Sequence, residues 1–178
     1  MGQSIIIFLF SKSITLLGKH TILGLREKIP SVIYIFKWLI ISSIVGLCVG
    51  SASAFFLWSL SWVTDIRESH LWLIALLPIA GLLIGLLYLY FGKTVEKGNN
   101  LLIETIHDPK DTIPFRMAPM ILLGTIVTHL FGGSAGREGT ALQMAGSIAD
   151  QFTKSFRLSS NERKILIIAG ISAGFGSV

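Results

Sequence analysis

Gly132-Gly133-Ser134-Ala135-Gly136-Arg137-Glu138-Gly139-Thr140 separates two apolar segments, Met117 to Phe131 before it and Ala141 to Phe156 after it. Its glycines let the backbone turn sharply and approach a small ligand closely. The helix expected to follow presents unpaired N–H groups and the positive end of its dipole. An anion can be held there by backbone donors alone. Glu138, at the start of that helix, places a carboxylate where such an anion would sit. Turning backbone between apolar segments is tolerable at membrane depth only when it is buried in protein or lines an aqueous cavity.

The composition puts this stretch in lipid. The chain has 178 residues, of which 52% are hydrophobic and 14% charged, and its mean hydropathy is +0.71. Soluble domains carry about 25% charged residues, and large exposed apolar patches are rarely tolerated in water. The eighteen glycines fit close packing of membrane helices through small residues. The net charge of +5 comes from Lys and Arg lying mostly before or between apolar runs, which reads as a topology signal rather than a nucleic-acid footprint. The lone Cys48 forms no internal disulfide and reads as a small buried hydrophobe. Neither a cleavable signal peptide nor a myristoylation motif is expected at the N-terminus.

Two runs are long enough to span a bilayer core, which takes roughly 20 helical residues. They are Trp38 to Val63, containing the pair Gly46 and Gly50, and Leu71 to Phe91, containing Gly81 and Gly85. Pro78 predicts a kink in the second. Thr64 to His70 reads as a short polar loop, so the spans form an antiparallel hairpin. Basic residues before the first span and after the second (Lys93, Lys97) predict cytoplasmic flanks and a cytoplasmic N-terminus. Residues 1–30 read as an interfacial amphipathic segment ended by Pro30, and 31–178 as the membrane domain. Leu101 to Ile106 is too short to span, and with the segments around 132–140 it suggests half-helices of the kind that build transporter sites.

Glu138 has two readings. As a first-turn acid it complements the helix dipole, an effect of about 0.3–1 kcal/mol. As an ionisable group at membrane depth it competes with an anion and carries a proton. Arg137 is its sequence neighbour, and neighbours do not face each other on a helix, so a simple ion pair is not the obvious explanation.

Gly136-Arg137-Glu138-Gly139 resembles the G(K/R)EGP motif of the CLC chloride channel and anion/proton antiporter family. Thr140-Ala141-Leu142-Gln143-Met144-Ala145-Gly146 is similar to the family's run after that motif. Ile168 to Phe175 resembles its following small-residue helix, and Gly98-Asn99-Asn100-Leu101-Leu102 stands where the family has its GSGIP anion loop. The resemblance covers most of the chain from the first span onward. It implies an all-α polytopic membrane protein with broken and re-entrant helices, the first of two inverted repeats. It implies transport of chloride or fluoride, coupled to protons, through a bacterial plasma membrane. On that basis Glu138 would be the gate and proton carrier. The amides of Gly136, Arg137, Gly139 and Thr140 would line an anion site, and Asn99 and Asn100 would face the ion from the other broken segment.

The departures carry information. Asn99 replaces the family's loop serine, Leu102 its proline, and Thr140 the proline of GREGP. These substitutions look like the fluoride/proton antiporter branch. Asn99 offers an amide donor to a halide, or else serves as a turn residue ending the preceding helix. Thr140 restores a backbone N–H that proline lacks. These 178 residues hold no counterpart of the family's GxFxP segment, pore tyrosine, internal proton-transfer position or dimer-interface helices. The chain is therefore expected to be an incomplete repeat that does not conduct unassisted, its partner being either a second copy in a homodimer or a missing C-terminal half. The alternative is a non-transporting membrane fragment that packs on a partner through its glycine faces.

Other polar residues carry less. His129 reads as a helix-packing histidine or a proton relay, and Glu104 with His107 as a solvated face rather than metal ligands. Trp38, Trp58, Trp62 and Trp72 suit an interfacial aromatic belt. No nucleophilic triad, carboxylate pair, phosphate loop or dinucleotide fingerprint is present, so no enzyme activity, cofactor, metal or nucleic-acid partner is expected.

Overall fold

The computed structural model describes residues 32–108 and 112–178, and among them it is helical without strands. The sequence reading of residues 1–30, with Pro30 as a terminator, lies outside the described residues. The order is α1 (Gly2–Ser69, with side chains described from Val32), a 3-10 turn (Leu71–Leu76), α2 (Leu77–Phe91), α3 (Asn99–His107), α4 (Met117–Leu130), α5 (Arg137–Ser155) and α6 (Ser160–Phe175). The chain divides into two compact units, 1–41 and 42–178. The glycine-rich break at 132–140 and all the helices from α2 onward belong to the second.

Among the described residues, two helical stretches are long and apolar enough to cross a membrane, Val32–Ser69 and Leu71–Phe91. The second coincides with the span read from sequence. The first overruns it, because the polar stretch expected to be a loop is the last turn of α1. Ser69 Oγ donates to the Asp65 carbonyl at 2.8 Å, and only His70 separates α1 from the 3-10 turn. The charges at 65–68 thus lie in the last turns of the helix, not in a loop beyond it. Pro78 causes no kink inside a helix. It sits in the first turn of α2, where a missing N–H leaves no carbonyl unsatisfied, and the change from 3-10 to α geometry falls just before it. Leu82, Leu83, Leu89 and Phe91 are exposed on α2, as are Trp58, Trp62 and Trp72. An apolar surface this extensive is suited to lipid.

The tightest helix pair is α5 with α6, running antiparallel through small residues. A Cβ on Gly170 would collide with that of Ala149, and one on Gly174 would lie 2.5 Å from the Ala145 Cβ and 2.8 Å from the Ala141 carbonyl. Gly170 and Gly174 are thus the glycine pair in contact. At Gly46, Gly50, Gly81 and Gly85 an added Cβ meets nothing within 4 Å. Gly146, on the same helix as the alanines, lies under Leu102 of α3.

Polar side chains lock α5 to its neighbours. Asp150 is fully buried and Arg163 nearly so. Arg163 Nε donates to Asp150 Oδ1 at 2.7 Å and its terminal nitrogen to Oδ2 at 2.8 Å. The Ile113 N–H donates to Oδ2 at 2.7 Å and Thr153 Oγ1 to Oδ1 at 3.1 Å. Beside it, Gln151 Nε2 reaches the Ile113 carbonyl, and one turn earlier Ser147 Oγ donates to the Pro114 carbonyl. α6 opens on a capping box, with Ser159 Oγ accepting from the Glu162 N–H and the Glu162 carboxylate accepting from the Ser159 N–H. That arrangement satisfies two end donors reciprocally.

Gly170→Ala and Gly174→Ala are therefore expected to destabilise the chain by about 1–3 kcal/mol through overpacking. Gly81→Ala, facing open space, should be neutral or slightly stabilising. Thermal unfolding in detergent measures both, and equal melting of Gly170→Ala and Gly81→Ala would contradict the packing.

Candidate functional site: two helix starts that meet

The break between α4 and α5 is built by glycines with separate duties. α4 ends with the Gly133 N–H bonded to the Thr128 carbonyl at 2.8 Å and the Gly132 N–H to the His129 carbonyl at 3.1 Å. This is the two-bond Schellman closure, which requires a left-handed residue at the first position beyond the cap. Gly132, with φ +82°, supplies it. Gly133 is required by space, since a Cβ there would come 2.6 Å from the Thr128 methyl. Gly136 then caps α5 in extended conformation, φ −68° and ψ 121°.

The first turn of α5 is left rich in donors. Among the described residues, the N–H groups of Gly136, Arg137, Glu138 and Gly139 have no hydrogen-bond partner. The sequence reading assigned the Thr140 amide to this set, and the structure corrects that. The Thr140 N–H donates to the Gly136 carbonyl at 3.3 Å, and its side chain is buried. The amide of Glu138 itself belongs to the set instead. It is one of the first four N–H groups, which every α-helix leaves without an intrahelical partner.

The start of α3 lies against this turn. Gly98, at φ +56°, swings the chain into α3. A Cβ on Gly139 would lie 3.8 Å from Asn99 Nδ2, and one on Gly98 would lie 3.4 Å from Gln143 Nε2. Asn99 opens α3 rather than ending α2, which stops at Phe91. Asn100 is placed differently. Its N–H donates to the Lys97 carbonyl at 3.1 Å, and its side chain makes no hydrogen bond among the described residues. Leu102, at the family's proline position, is buried in the core. Gln143 was quoted in the sequence only as part of a flanking run. Its position beside Gly98 shows a second side-chain amide at the junction.

Glu138 and Arg137 part company. Both are exposed, and neither makes a hydrogen bond or ion pair among the described residues. Arg137 lines a cleft of about 250 Å³ with Leu57, Leu60, Ser61, Thr64 and Asp65 of α1. His129 Nδ1 is 2.9 Å from the Thr125 carbonyl, the bond of a helix-packing histidine. Glu104 pairs with Lys97 at 2.7 Å, while His107 turns to the Ile103 carbonyl, so these two side chains do not converge.

The first turn of α5, with four unpartnered amides, an exposed carboxylate in the same turn and the start of α3 against it, is an arrangement in which backbone donors could hold an anion. A family description, voltage gated chloride channel, matches residues 80–178, more than half of the chain. The chain belongs to this family, known as CLC, and has its all-helical membrane fold. It is 55% identical over 152 residues to a chloride/fluoride channel protein of Pseudomonas syringae pv. tomato, covering 85% of this chain and 34% of that protein. It is 28% identical over 145 residues to an uncharacterized protein of Methanocaldococcus jannaschii, covering 81% and 34%. A crystal structure of a CLC-type fluoride/proton antiporter superposes with a TM-score of 0.73 at 37% identity, covering 78% of this chain and 35% of that one. The chain thus spans about a third of the length of the relatives it matches.

Gly98→Ala should cost about 1–3 kcal/mol, the usual penalty for a side chain held in a sparsely populated backbone region. Gly136→Ala, with ordinary φ and open space around its Cβ position, should fold like the parent. Matched thermal melts check this, and a Gly98→Ala variant as stable as the parent would contradict the turn.

Proposed function

We propose that the chain forms part of a pathway along which a halide, fluoride or chloride, crosses a membrane in exchange for protons. The observation that carries this is the set of four unpartnered amides from Gly136 to Gly139 beside Asn99, with the Glu138 carboxylate rooted in the same turn. A carboxylate so placed is itself an anion competing for those donors. When protonated it leaves them to a halide and carries the proton away. The names of the relatives support the two ions and the antiport. The substitutions at Asn99, Leu102 and Thr140 favour the fluoride branch. Exposure of Glu138 fits a mobile gate rather than a fixed structural acid.

The remainder of the first repeat and a second repeat supply the rest of the pathway, either in a longer form of the same chain or as a partner. The membrane is the bacterial plasma membrane, with the N-terminus and the interfacial segment 1–30 on the cytoplasmic side. A second reading, a non-transporting subunit, draws on the pairs Gly46/Gly50 and Gly81/Gly85, which open onto empty space and would suit close approach of another helix.

Liposome flux with fluoride and chloride side by side, read together with internal pH, separates these readings. The 178-residue chain alone should give no flux above empty vesicles, and robust flux from it would refute its being only part of a pathway. With the rest of the pathway present, halide efflux should be accompanied by proton movement, and Glu138→Gln should abolish the proton movement. Unchanged proton coupling in Glu138→Gln would remove the gating role. Absence of flux even with the rest of the pathway would favour the non-transporting subunit.

A further inference from the structure

Behind the donor turn lies a pair of hydroxyls. Thr125 of α4 and Thr140 of α5 are each 3% exposed, and their Oγ1 atoms are 2.7 Å apart. Thr140 Oγ1 also lies 3.0 Å from the Gly136 carbonyl, to which it donates. A hydroxyl has one proton and can accept as well. With the Thr140 proton directed to Gly136, the Thr125 proton must be directed to Thr140. The Gly136 carbonyl therefore receives both the O–H and the N–H of Thr140. Gly136 has no side chain with which to cap the helix, and among the described residues no side chain caps it from elsewhere. Its conformation is held from inside, by a bond that continues across to α4.

We propose that Thr125 and Thr140 are positioning residues whose hydroxyl pair fixes the spacing of the four amide donors and so favours the smaller halide. The proposal rests on the transport reading above and adds to it the source of discrimination. Fluoride is small and strongly hydrated. A site replaces its water shell only with donors held close together, and a turn free to widen loses that advantage first. Chloride, being larger, accepts a looser ring. Selectivity of this kind depends on cavity size and on the rigidity of the ligands, and rigidity here comes from packed, hydrogen-bonded support behind the donors. The clamp also explains how the turn stays ordered with threonine where the resembling motif has proline. Proline would stiffen the backbone through its ring, whereas threonine does so through two hydrogen bonds.

The test is hydrogen exchange of the peptide covering Gly136 to Gln143 in the purified chain, with sodium gluconate, fluoride or chloride at matched ionic strength. Thr140→Val and Thr125→Val should each speed exchange about fivefold to tenfold, as expected for loss of one buried hydrogen bond. Thr140→Ser should stay near the parent, and the double valine variant should be no worse than Thr140→Val. Protection by fluoride over chloride should be present in the parent and in Thr140→Ser and lost in both valine variants. Thermal melts establish that each variant is folded, and Thr125→Val stands in if Thr140→Val is not. Unchanged exchange in the valine variants would overturn the clamp. Faster exchange with the fluoride-to-chloride ratio intact would reduce it to a structural contact and overturn the role in selection. A parent blind to both halides would fault the transport reading and this proposal with it, whereas a preference surviving in both valine variants would fault this proposal alone.

Discussion

Asp150 holds a carboxylate with no exposed surface, and its four hydrogen bonds come from three different parts of the chain. Arg163 brings α6, the Ile113 N–H brings the segment entering α4, and Thr153 belongs to α5 itself. A buried ion pair is tolerable only when both partners are satisfied, and removing one partner of such a pair typically costs about 3–5 kcal/mol. The carboxylate therefore admits one arrangement of these three pieces. Ser147 and Gln151, on the same face of α5, repeat the attachment through the Pro114 and Ile113 carbonyls.

From this anchor the register runs along α5 to the site. Ala149, Ala145 and Ala141 recur every four residues and receive Gly170 and Gly174 of α6, so the two backbones approach without intervening side chains. Gly146 admits Leu102, which seats α3 on the same helix. Gln143 and Gly139, on the next turns, meet Gly98 and Asn99. The end of α5 that carries the unpartnered amides is thus placed by contacts made along nearly its whole length. Rigid support matters because a cradle made of amide dipoles works by being fixed before the ion arrives.

Much of this was legible in the sequence. The span Leu71–Phe91, the helix from Met117 and the glycine break before Glu138 all follow from apolar run length and from the backbone freedom of glycine. Asn99 and Gly139 could be assigned to one site only through the resemblance, since no spacing rule joins residues forty positions apart. The polar stretch 64–70 misled because charge reports contact with water, and a helix can carry charge past the membrane surface. The Thr140 amide misled because counting donors from the motif, not from the helix start, placed it among the orphans one residue too far along. Asp150 and Arg163 gave no signal. Thirteen residues apart on different helices, they are brought together by the turn at Arg157, in left-handed conformation, which folds one helix back on the other.

The most direct measurement of the central claim is a fluoride and chloride titration of the 15N-labelled chain in nanodiscs, following individual amide resonances. The donor cradle predicts saturable shifts of the Gly136, Arg137, Glu138 and Gly139 amides and of the Asn99 side-chain amide, with the rest of α5 unmoved. Halide-dependent shifts centred instead on Ser61, Thr64 and Asp65 around the Arg137 cleft, or no saturable shift anywhere, would contradict it.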